Sequence, residues 1–420
     1  MRRCFIAALT FVLVLGLGDH AAFAQEPDPV LGTVIVEGNT RTNRSVIDRV
    51  IGLEQGARFT LDEFDAVWDR LEDCGYFAFV DLDTEEDDEG NITLHVLVEE
   101  EKSLRFTPYI RYDRRHKYLL GAAMKDSNLG GRGETLEIQA VVYYIQRARA
   151  RWSKPWLFGS DGTGLFVDAQ WEQAGFVYRP FNYGAWHGIL GLKQEITSNF
   201  YIEASGGYES FDQRDTYTWS VADEKVEFAA ETRDTWMVRG LVGLDTRDNI
   251  YYPTKGLFTT YDLTYRFGGE IDGQTSHRLD LRGFIPLPGA SILALRGFGQ
   301  VVDNIQATEY VLRWGGPETV RGAPYARREG EIAYLATAEV RIPLFMMPVS
   351  VTGETVGVGL HAFSDVGDAY YDIEGQSTPR SMVSYGAGVH ISLLTWQLRF
   401  EAAKERDHDW TFEFMDVFNF

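Results

Sequence analysis

The 420-residue chain has little cysteine, proline or positive charge, and no long apolar run follows its first 25 residues. The two cysteines are too few for a disulfide framework, and 13 prolines are too few for a proline-rich disordered chain. With 40 Lys+Arg against 62 Asp+Glu, the formal net charge is −22, which argues against a nucleic-acid partner because phosphate binding needs surplus Lys and Arg. The longest later apolar run covers residues 342–349, so no transmembrane helix is expected.

Glycine and aromatic residues are abundant instead. The chain has 42 glycines, and 14% of its residues are aromatic. Glycine disfavours helices and aromatic residues favour strands, so this composition is typical of many strands joined by turns rather than of a helical bundle.

The first residues have the pattern of a signal peptide. Arg2 and Arg3 precede an apolar run at residues 5–17, and small residues at 22–24 are suited to cleavage. We therefore predict a signal peptide over residues 1–24 and an exported mature chain. Cys74 would be the single cysteine of that chain, and we expect a buried free thiol.

Residues 25–102 form a strongly acidic segment, which predicts a first domain with a boundary near residue 102. Apolar and turn residues indicate the order β-α-α-β-β, with strands at 33–36, 80–84 and 92–98. The acidic run at 81–89 suggests calcium, but an EF-hand loop needs glycine where Glu86 stands, so a solvated hairpin tip is the better interpretation.

The second helix of this domain has the clearest boundaries. Thr60 and Glu63 fit a capping box, and Phe59 with Phe64 fits a hydrophobic staple. A stripe at helical spacing follows, and Gly75 ends it. The stripe consists of Leu61, Phe64, Val67, Trp68 and Leu71.

From residue 103 to 420 the chain alternates between apolar and polar residues with period two. Tyr261, Leu263, Tyr265 and Phe267 are separated by polar residues, and residues 383–391 and 396–401 follow the same rule. Alternation alone fits either a soluble sandwich or a membrane β-barrel. Room for about sixteen strands favours an antiparallel transmembrane barrel. The aromatic C-terminal strand also favours it, because such a strand would promote aggregation of a soluble protein.

Constellations for catalysis or cofactor binding are missing from the sequence. The glycines of residues 126–133 could suggest a phosphate cradle, but no helix follows them, so a turn is predicted. His408, between Asp407 and Asp409, could suggest a metal or a catalytic pair, but it falls in a predicted turn. We predict no catalytic residues, no metal site and no cofactor.

Five local motifs and the order of the domains resemble the BamA-type superfamily of outer-membrane assembly and secretion barrels, whose N-terminal modules are called POTRA domains. The motifs are DSNLGGRG at 126–133, DTRD at 245–248, YPTKG at 252–256, GGPETVRG at 315–322 and FSDVG at 363–367. The resemblance covers nearly all of the mature chain. It implies one POTRA-like domain at 25–102 and an outer-membrane β-barrel at 103–420.

The resemblance also implies a loop held inside the barrel. The family's long sixth loop carries Val-Arg-Gly, here Val320, Arg321 and Gly322, and its arginine pairs with a strand carboxylate, here Asp365. A planar guanidinium suits a carboxylate partner, which would fix an otherwise mobile loop. We call these four residues the loop lock. Ala323 departs from the family, which commonly has an aromatic residue there.

A weak seam between the first and last strands is the second implied site. In the family this seam opens laterally. The predicted seam residues are Leu104, Phe106, Pro108, Phe412, Phe414, Phe418 and Phe420. Pro108 cannot donate to a strand ladder, which fits either a weak edge or an ordinary strand start. Met415 stands where the family commonly has glycine.

The function implied by the resemblance is insertion or translocation of other proteins at the outer membrane, with the POTRA-like domain in the periplasm. The implied partners are outer-membrane lipid, unfolded outer-membrane or secreted client proteins, and periplasmic chaperones or accessory subunits. A dedicated secretion pore for one partner remains an alternative, since a single POTRA-like domain is fewer than general assembly factors carry. A simple porin would not need the N-terminal domain, and a barrel enzyme would need convergent Ser, His and Asp groups.

Overall fold

The computed structural model of the chain describes residues 29–88, 90–113, 117–143, 145–157, 162–175, 181–221, 224–269, 271–349, 354–372, 380–394 and 396–417. The predicted signal peptide, Phe418 and Phe420 lie outside these residues. In the described part of the chain, no helix is both long and apolar enough to cross a membrane.

An α+β module comes first, and its β-α-α-β-β order confirms the prediction. It consists of β1 (Val30–Glu37), α1 (Arg44–Ile51), α2 (Leu61–Asp73), β2 (Phe77–Glu86) and β3 (Asn91–Glu100). The sheet order is β1-β3-β2, with β3 parallel to β1 and antiparallel to β2. The two outer strands of this sheet are therefore β1 and β2.

Both helices of the module follow from local sequence signals. The Thr60 side chain accepts the backbone N–H of Glu63 at 3.3 Å, so the cap of α2 forms as predicted. Gly52 ends α1 in the left-handed region at φ 67°. Val67 and Leu71 pack with strand residues in a single buried core, but Leu61 is 82% exposed, so its assignment to the apolar stripe was wrong. Leu61 lies in the first turn of α2 and points away from the sheet.

The barrel strands follow in chain order. They are β4 (Leu104–Asp113), β5 (Lys117–Leu129), β6 (Glu134–Tyr143), β7 (Ile145–Lys154), β8 (Thr163–Gly175), β9 (Asn182–Glu195), β10 (Phe200–Gln213), β11 (Tyr217–Val221), β12 (Glu224–Phe228), β13 (Glu231–Asp245), β14 (Gly256–Gly268), β15 (Ile271–Pro286), β16 (Ile292–Asp303), β17 (Leu312–Trp314), β18 (Arg328–Gly330), β19 (Ile332–Pro348), β20 (Thr355–Tyr370), β21 (Met382–Leu394), β22 (Trp396–Glu405) and β23 (Thr411–Val417).

Sixteen of these strands, as the described residues define them, close into one antiparallel barrel. The short pairs β11–β12 and β17–β18 lie outside the barrel sheet. Each remaining strand pairs with its chain neighbours, and β23 pairs with β4 to close the circle. Because β4 follows the module directly, we call the end where β4 begins the module end. Successive strands alternate in direction from there.

The apolar and polar faces of the strands point in opposite directions, as a transmembrane barrel requires. Tyr261, Leu263 and Tyr265 are exposed on the outside, and the same holds for Leu279 and Leu281. The buried residues inside include many charged ones: Asp168, Asp280, Glu339, Arg341, Asp365, Arg399 and Glu401. A two-sheet sandwich would bury the apolar faces and expose the charges, so the predicted barrel is confirmed.

One long loop enters the barrel from the end opposite the module. It covers residues 304–331, between β16 and β19, and we call it the long loop. Leu312, Trp314 and Val320 of this loop form a buried apolar cluster with inward residues of the neighbouring strands. The loop therefore packs against the barrel wall rather than extending away from it.

The module contacts the barrel at the turn between β5 and β6. Arg41 forms an ion pair with Asp126 at 2.8 Å, and Asn128 donates to the Thr42 hydroxyl at 2.9 Å. Gly131, in the left-handed region at φ +72°, brings its backbone against the Arg41 carbonyl, where a Cβ would clash. Residues 126–133 thus form a turn, as predicted, and the module rests on it.

Candidate functional site in the barrel lumen

The long loop places Arg321 in the interior of the barrel, next to strand β20. Gly322 makes the close approach possible: its φ is +78°, and a Cβ there would lie 3.0 Å from backbone atoms of Ala403, Lys404 and Glu405. Val320, on the other side of Arg321, is fully buried in the apolar cluster of the loop. The chain on both sides of Arg321 is therefore fixed against the wall.

The Arg321 guanidinium contacts three carboxylates. Its Nε and Nη2 atoms donate to the two oxygens of Asp365, each at 2.8 Å. Its Nη1 donates to Glu339 at 2.9 Å and lies 3.4 Å from Glu401. The ring of Phe363 lies parallel to the chain's own charge, with the Arg321 Cζ 3.3 Å from its centroid. Arg321, Asp365 and Phe363 thus bring the VRG and FSD motifs together.

Two further arginines complete this buried cluster. Arg341 donates to Glu339 at 2.8 Å, and Arg399 donates to Glu339 at 2.6 Å. We call Arg321, Arg341, Arg399, Glu339, Asp365 and Glu401 the lumen cluster. Three cations face three anions, so the cluster is neutral although all six side chains are buried. Such a balance is what makes buried charge tolerable.

The charge of Arg321 is strongly favoured. Burial alone lowers the pKa of a guanidinium, but the hydrogen-bonded Asp365 and the nearby Glu401 and Glu339 outweigh it and raise the pKa of Arg321. The cation is therefore present at every physiological pH, and the contact does not depend on titration of the arginine.

Two other contacts hold the long loop on opposite sides of the barrel. Near the start of the loop, Arg233 of β13 donates to both oxygens of Glu309 at 2.9 Å. Near its end, Arg327 forms an ion pair with Glu405 of β22 and another with Asp407 at 3.2 Å. The loop therefore spans the lumen between β13 and β22.

The structure also places the residues that depart from the family pattern. Ala323 is buried in the apolar cluster of the long loop, so the missing aromatic side chain leaves a packed residue. The ring of Tyr325 covers Gly316 instead, 3.1 Å from the position of a Cβ there. His408 lies in a turn, as predicted, and contacts Glu405 at 2.7 Å.

The predicted seam lies between β4 and β23. Among the described residues, the register joining these strands contains one Cα pair, Phe414 with Tyr112. Neighbouring strands pair over seven residues or more; β22 with β23, for example, pairs from Gln397–Val417 to Ala403–Thr411. Pro108 pairs with Ala122 of β5, on the side away from the seam. The remaining described seam residues are Leu104, Phe106 and Phe412, whose side chains are exposed.

The long loop also contacts the last strand. The backbone N–H of Gly322 hydrogen-bonds with Glu413 of β23. Glu413 is the polar residue of the C-terminal strand, and it points inward between the exposed Phe412 and its neighbour Phe414. The loop lock and the seam strand are therefore in direct contact.

Four members of the lumen cluster were not predicted as site residues: Glu339, Arg341, Arg399 and Glu401. Each pair sits two residues apart on one strand, so period two did place them on the same inward face. That signal identifies inward charges but not their partners, because the partners lie on other strands and on the long loop.

Glu339, His361 and Glu401 also place three possible metal-ligand atoms within 4.8 Å of one another. Their ligand atoms are already engaged: Glu339 by three arginines, and Glu401 by Arg399 and by His361 at 2.9 Å. A divalent cation would add charge to a neutral cluster and compete with these guanidinium groups. The geometry fits an ion-pair network better than a metal site.

Two domain families match the chain. Residues 128–420 match the Omp85 superfamily domain, and residues 29–101 match the POTRA family, described as a surface antigen variable number repeat. The comparison with curated proteins found no match.

Solved structures share the fold at low sequence identity. BamA from Haemophilus ducreyi lacking POTRA domains 1–3 is 14% identical, with 92% of this chain and 84% of that chain covered and a TM-score of 0.69. CdiB from Acinetobacter baumannii is 13% identical, covering 93% and 74%, with a TM-score of 0.61. CdiB from Escherichia coli is 13% identical, covering 96% and 93%, with a TM-score of 0.58. The barrel, the N-terminal module and the domain matches agree, and this chain belongs to the Omp85 superfamily.

Proposed function

We propose that the protein inserts or translocates other polypeptides at the outer membrane, with the module in the periplasm. Membership of the superfamily supports this class of function in general. The observation that carries the specific proposal is the seam, whose described register is a single pair between Phe414 and Tyr112. A strand edge freed there would need partners, because unpaired backbone groups are costly in hydrocarbon. A client strand can supply them.

The module supplies a first docking edge in this proposal. Strand β2 forms one edge of the module sheet, and within the described residues no strand pairs with its outer side. Backbone hydrogen bonds at such an edge bind extended segments with little dependence on sequence. An unfolded client would first pair with β2 and then with the seam.

The long loop distinguishes this proposal from a simple porin. Arg321 is buried, and the loop spans the lumen from Arg233 to Glu405. An open diffusion channel gains nothing from a buried loop held at both walls. We propose that the loop lock holds the lumen closed and, through the Gly322–Glu413 contact, supports the seam strand. The proposal involves no enzymatic step.

A disulfide across the seam tests the proposal. Tyr112→Cys with Phe414→Cys places two cysteines at a paired position of β4 and β23. The matched control, Phe400→Cys with Phe414→Cys, bridges β22 and β23, which stay paired in either state. We expect the oxidised seam variant to lose client assembly in cells and to regain it with reductant, while the control stays active. Full activity of the oxidised seam variant would rule out lateral opening.

Photocrosslinking from the module identifies the clients. A photoreactive residue at Phe79, half exposed on β2, should capture polypeptides in intact cells, whereas one at Leu61 on α2 serves as the exposed control. Many barrel proteins captured at Phe79 would indicate a general assembly factor. One secreted protein would indicate a dedicated secretion pore, and equal capture at both positions would contradict the docking edge.

A further inference from the structure

A chain of hydrogen bonds leads from the module end of the barrel to the lumen cluster. Tyr252 lies in the turn between β13 and β14, and its hydroxyl is 3.2 Å from His390 Nε2. His390 Nδ1 is 3.2 Å from His361 Nδ1, and His361 Nε2 is 2.9 Å from Glu401. We call Tyr252, His390, His361 and Glu401 the relay. All four side chains are buried.

Two glycines make room for the histidine rings. His390 lies opposite Gly359 across β20 and β21, and His361 lies opposite Gly388 across the same pair of strands. A Cβ at Gly359 would collide with His390, and one at Gly388 would lie 2.8 Å from His361 Nε2. Each ring therefore lies over a glycine of the neighbouring strand. Any other residue at these two positions would push the rings out of contact.

The contacts define where the protons lie when both rings are neutral. Glu401 can only accept, so His361 carries its proton on Nε2 and accepts with Nδ1. His390 must then donate from Nδ1 and accept from the Tyr252 hydroxyl with Nε2. The two rings thus hold opposite tautomers, and every hydrogen bond points from Tyr252 towards Glu401.

The surrounding charges favour these neutral rings. The groups around the pair are Arg341 and Glu339 of β19, Asp365 of β20, Arg399 and Glu401 of β22, Arg321 of the long loop and Tyr252 of the turn. The arginines and carboxylates already balance one another. A protonated imidazole would therefore have no counter-charge of its own.

The two ends of the relay lie on elements that enter the barrel from opposite sides. Tyr252 belongs to a turn at the module end, and the neighbouring Tyr251 hydrogen-bonds with Arg105 of the first barrel strand. Glu401 contacts Arg321 of the long loop, which enters from the other end. The relay is thus a continuous polar contact between the first strand, the turn and the loop lock.

We propose that Tyr252, His390 and His361 are positioning residues that hold Glu401 against Arg321 and so couple the turn at the module end to release of the long loop. This proposal rests on the proposed role of the loop lock. Loss of the relay would leave Glu401 free to move away from Arg321. The loop would then leave the lumen more readily, without any change in the Arg321–Asp365 pair itself.

Thiol accessibility measures release of the loop in the purified full chain, without any client. Ala323→Cys, in a chain carrying Cys74→Ala, places a buried thiol in the long loop. We expect Tyr252→Phe to speed its reaction with a maleimide about tenfold, the effect of one lost buried hydrogen bond. Tyr261→Phe is the matched control, because Tyr261 pairs with His277 at 2.8 Å on the exposed face. It should leave the rate unchanged.

His390 variants test whether hydrogen bonding or ring packing matters. His390→Phe keeps a ring but no nitrogen and should speed modification, whereas His390→Gln keeps a donor and an acceptor and should restore part of the protection. Equal, wild-type rates in Tyr252→Phe and His390→Phe would overturn the proposal. Because no client is present, this failure would be distinct from a failure of the assembly function.

Nitrogen-15 NMR of the unaltered protein, labelled at histidine, gives a test that needs no relay variant to fold. Near neutral pH we expect His390 as the Nδ1–H tautomer and His361 as the Nε2–H tautomer. Their signals are assigned by their loss in the corresponding variants or by contact with Tyr252. The same tautomer at both rings, or a doubly protonated ring, would contradict the relay.

Discussion

Removing the side chain of Arg321 should release the long loop, and the structure indicates how strongly. Within the described residues, the side-chain hydrogen bonds to the Asp365 carboxylate all come from Arg321. Glu339 keeps Arg341 and Arg399, and Glu401 keeps Arg399. Arg321→Ala therefore leaves one buried carboxylate without a partner. Breaking a buried pair in this way costs about 3–5 kcal/mol.

The same reasoning predicts a rescue. In Arg321→Ala with Asp365→Ala, no carboxylate is left unpaired at this position, so the double variant should be more stable than Arg321→Ala alone. Arg321→Lys should lie between them and the wild type, because an ammonium group cannot reproduce the two parallel bonds to Asp365. The lysine variant thus separates the effect of the charge from that of the planar fork.

Denaturant unfolding in detergent micelles, combined with maleimide access to a cysteine at position 323, measures both effects. Arg147→Ala is the control, since Arg147 pairs with Glu172 on the wall of the barrel but its side chain is 34% exposed. That loss should be about 1 kcal/mol or less. Strictly additive losses from Arg321→Ala and Asp365→Ala would refute the reasoning, because independent sites add and a paired site does not.

Two further predictions concern the module. Burial raises the pKa of Glu100, but hydrogen bonds from Thr40 and from the backbones of Thr42 and Arg41 outweigh it and lower the pKa to about 2. The stabilisation is therefore complete above the ordinary glutamate pKa and is lost as pH falls towards 2. Thermal unfolding should show a gap between wild type and Glu100→Gln at pH 7 that shrinks below pH 4.5; a constant gap would contradict the assignment. Gly131→Ala should detach the module, because its Cβ would meet the Arg41 carbonyl. Limited proteolysis between module and barrel should then become faster, and an unchanged rate would count against the docking contact.

Elements with local signals could be predicted closely from the sequence. The cap at Thr60 and the glycine at 52 determine where the two helices begin and end, and neither depends on distant residues. Period two identified the outward face of strands such as β14, because lipid-facing and lumen-facing residues alternate without exception along a regular strand. Leu61 was misassigned because helical spacing alone does not say where the stripe meets the sheet.

The partners inside the lumen could not be predicted, because they depend on register. His390 meets His361 only because β20 and β21 align Gly359 with His390 and His361 with Gly388. A shift of one residue would turn each ring to the outside. Sequence separation adds to the difficulty: Arg321 and Glu401 are 80 residues apart. The contact between Arg321 and Asp365 was expected from family resemblance, since nothing in the spacing of the two residues indicates it.

The use of ions rather than apolar residues at this position follows from what the loop is proposed to do. A buried ion pair adds little stability over well-packed apolar side chains, so stability alone does not explain six buried charges. Release does: when the loop leaves, Arg321 and Asp365 become hydrated, whereas an apolar pair would be left facing a polar lumen. We infer that the lumen cluster keeps the difference in free energy between the closed and released loop small. The rescue expected in the Arg321→Ala, Asp365→Ala variant measures this directly, because it compares the pair with its complete absence.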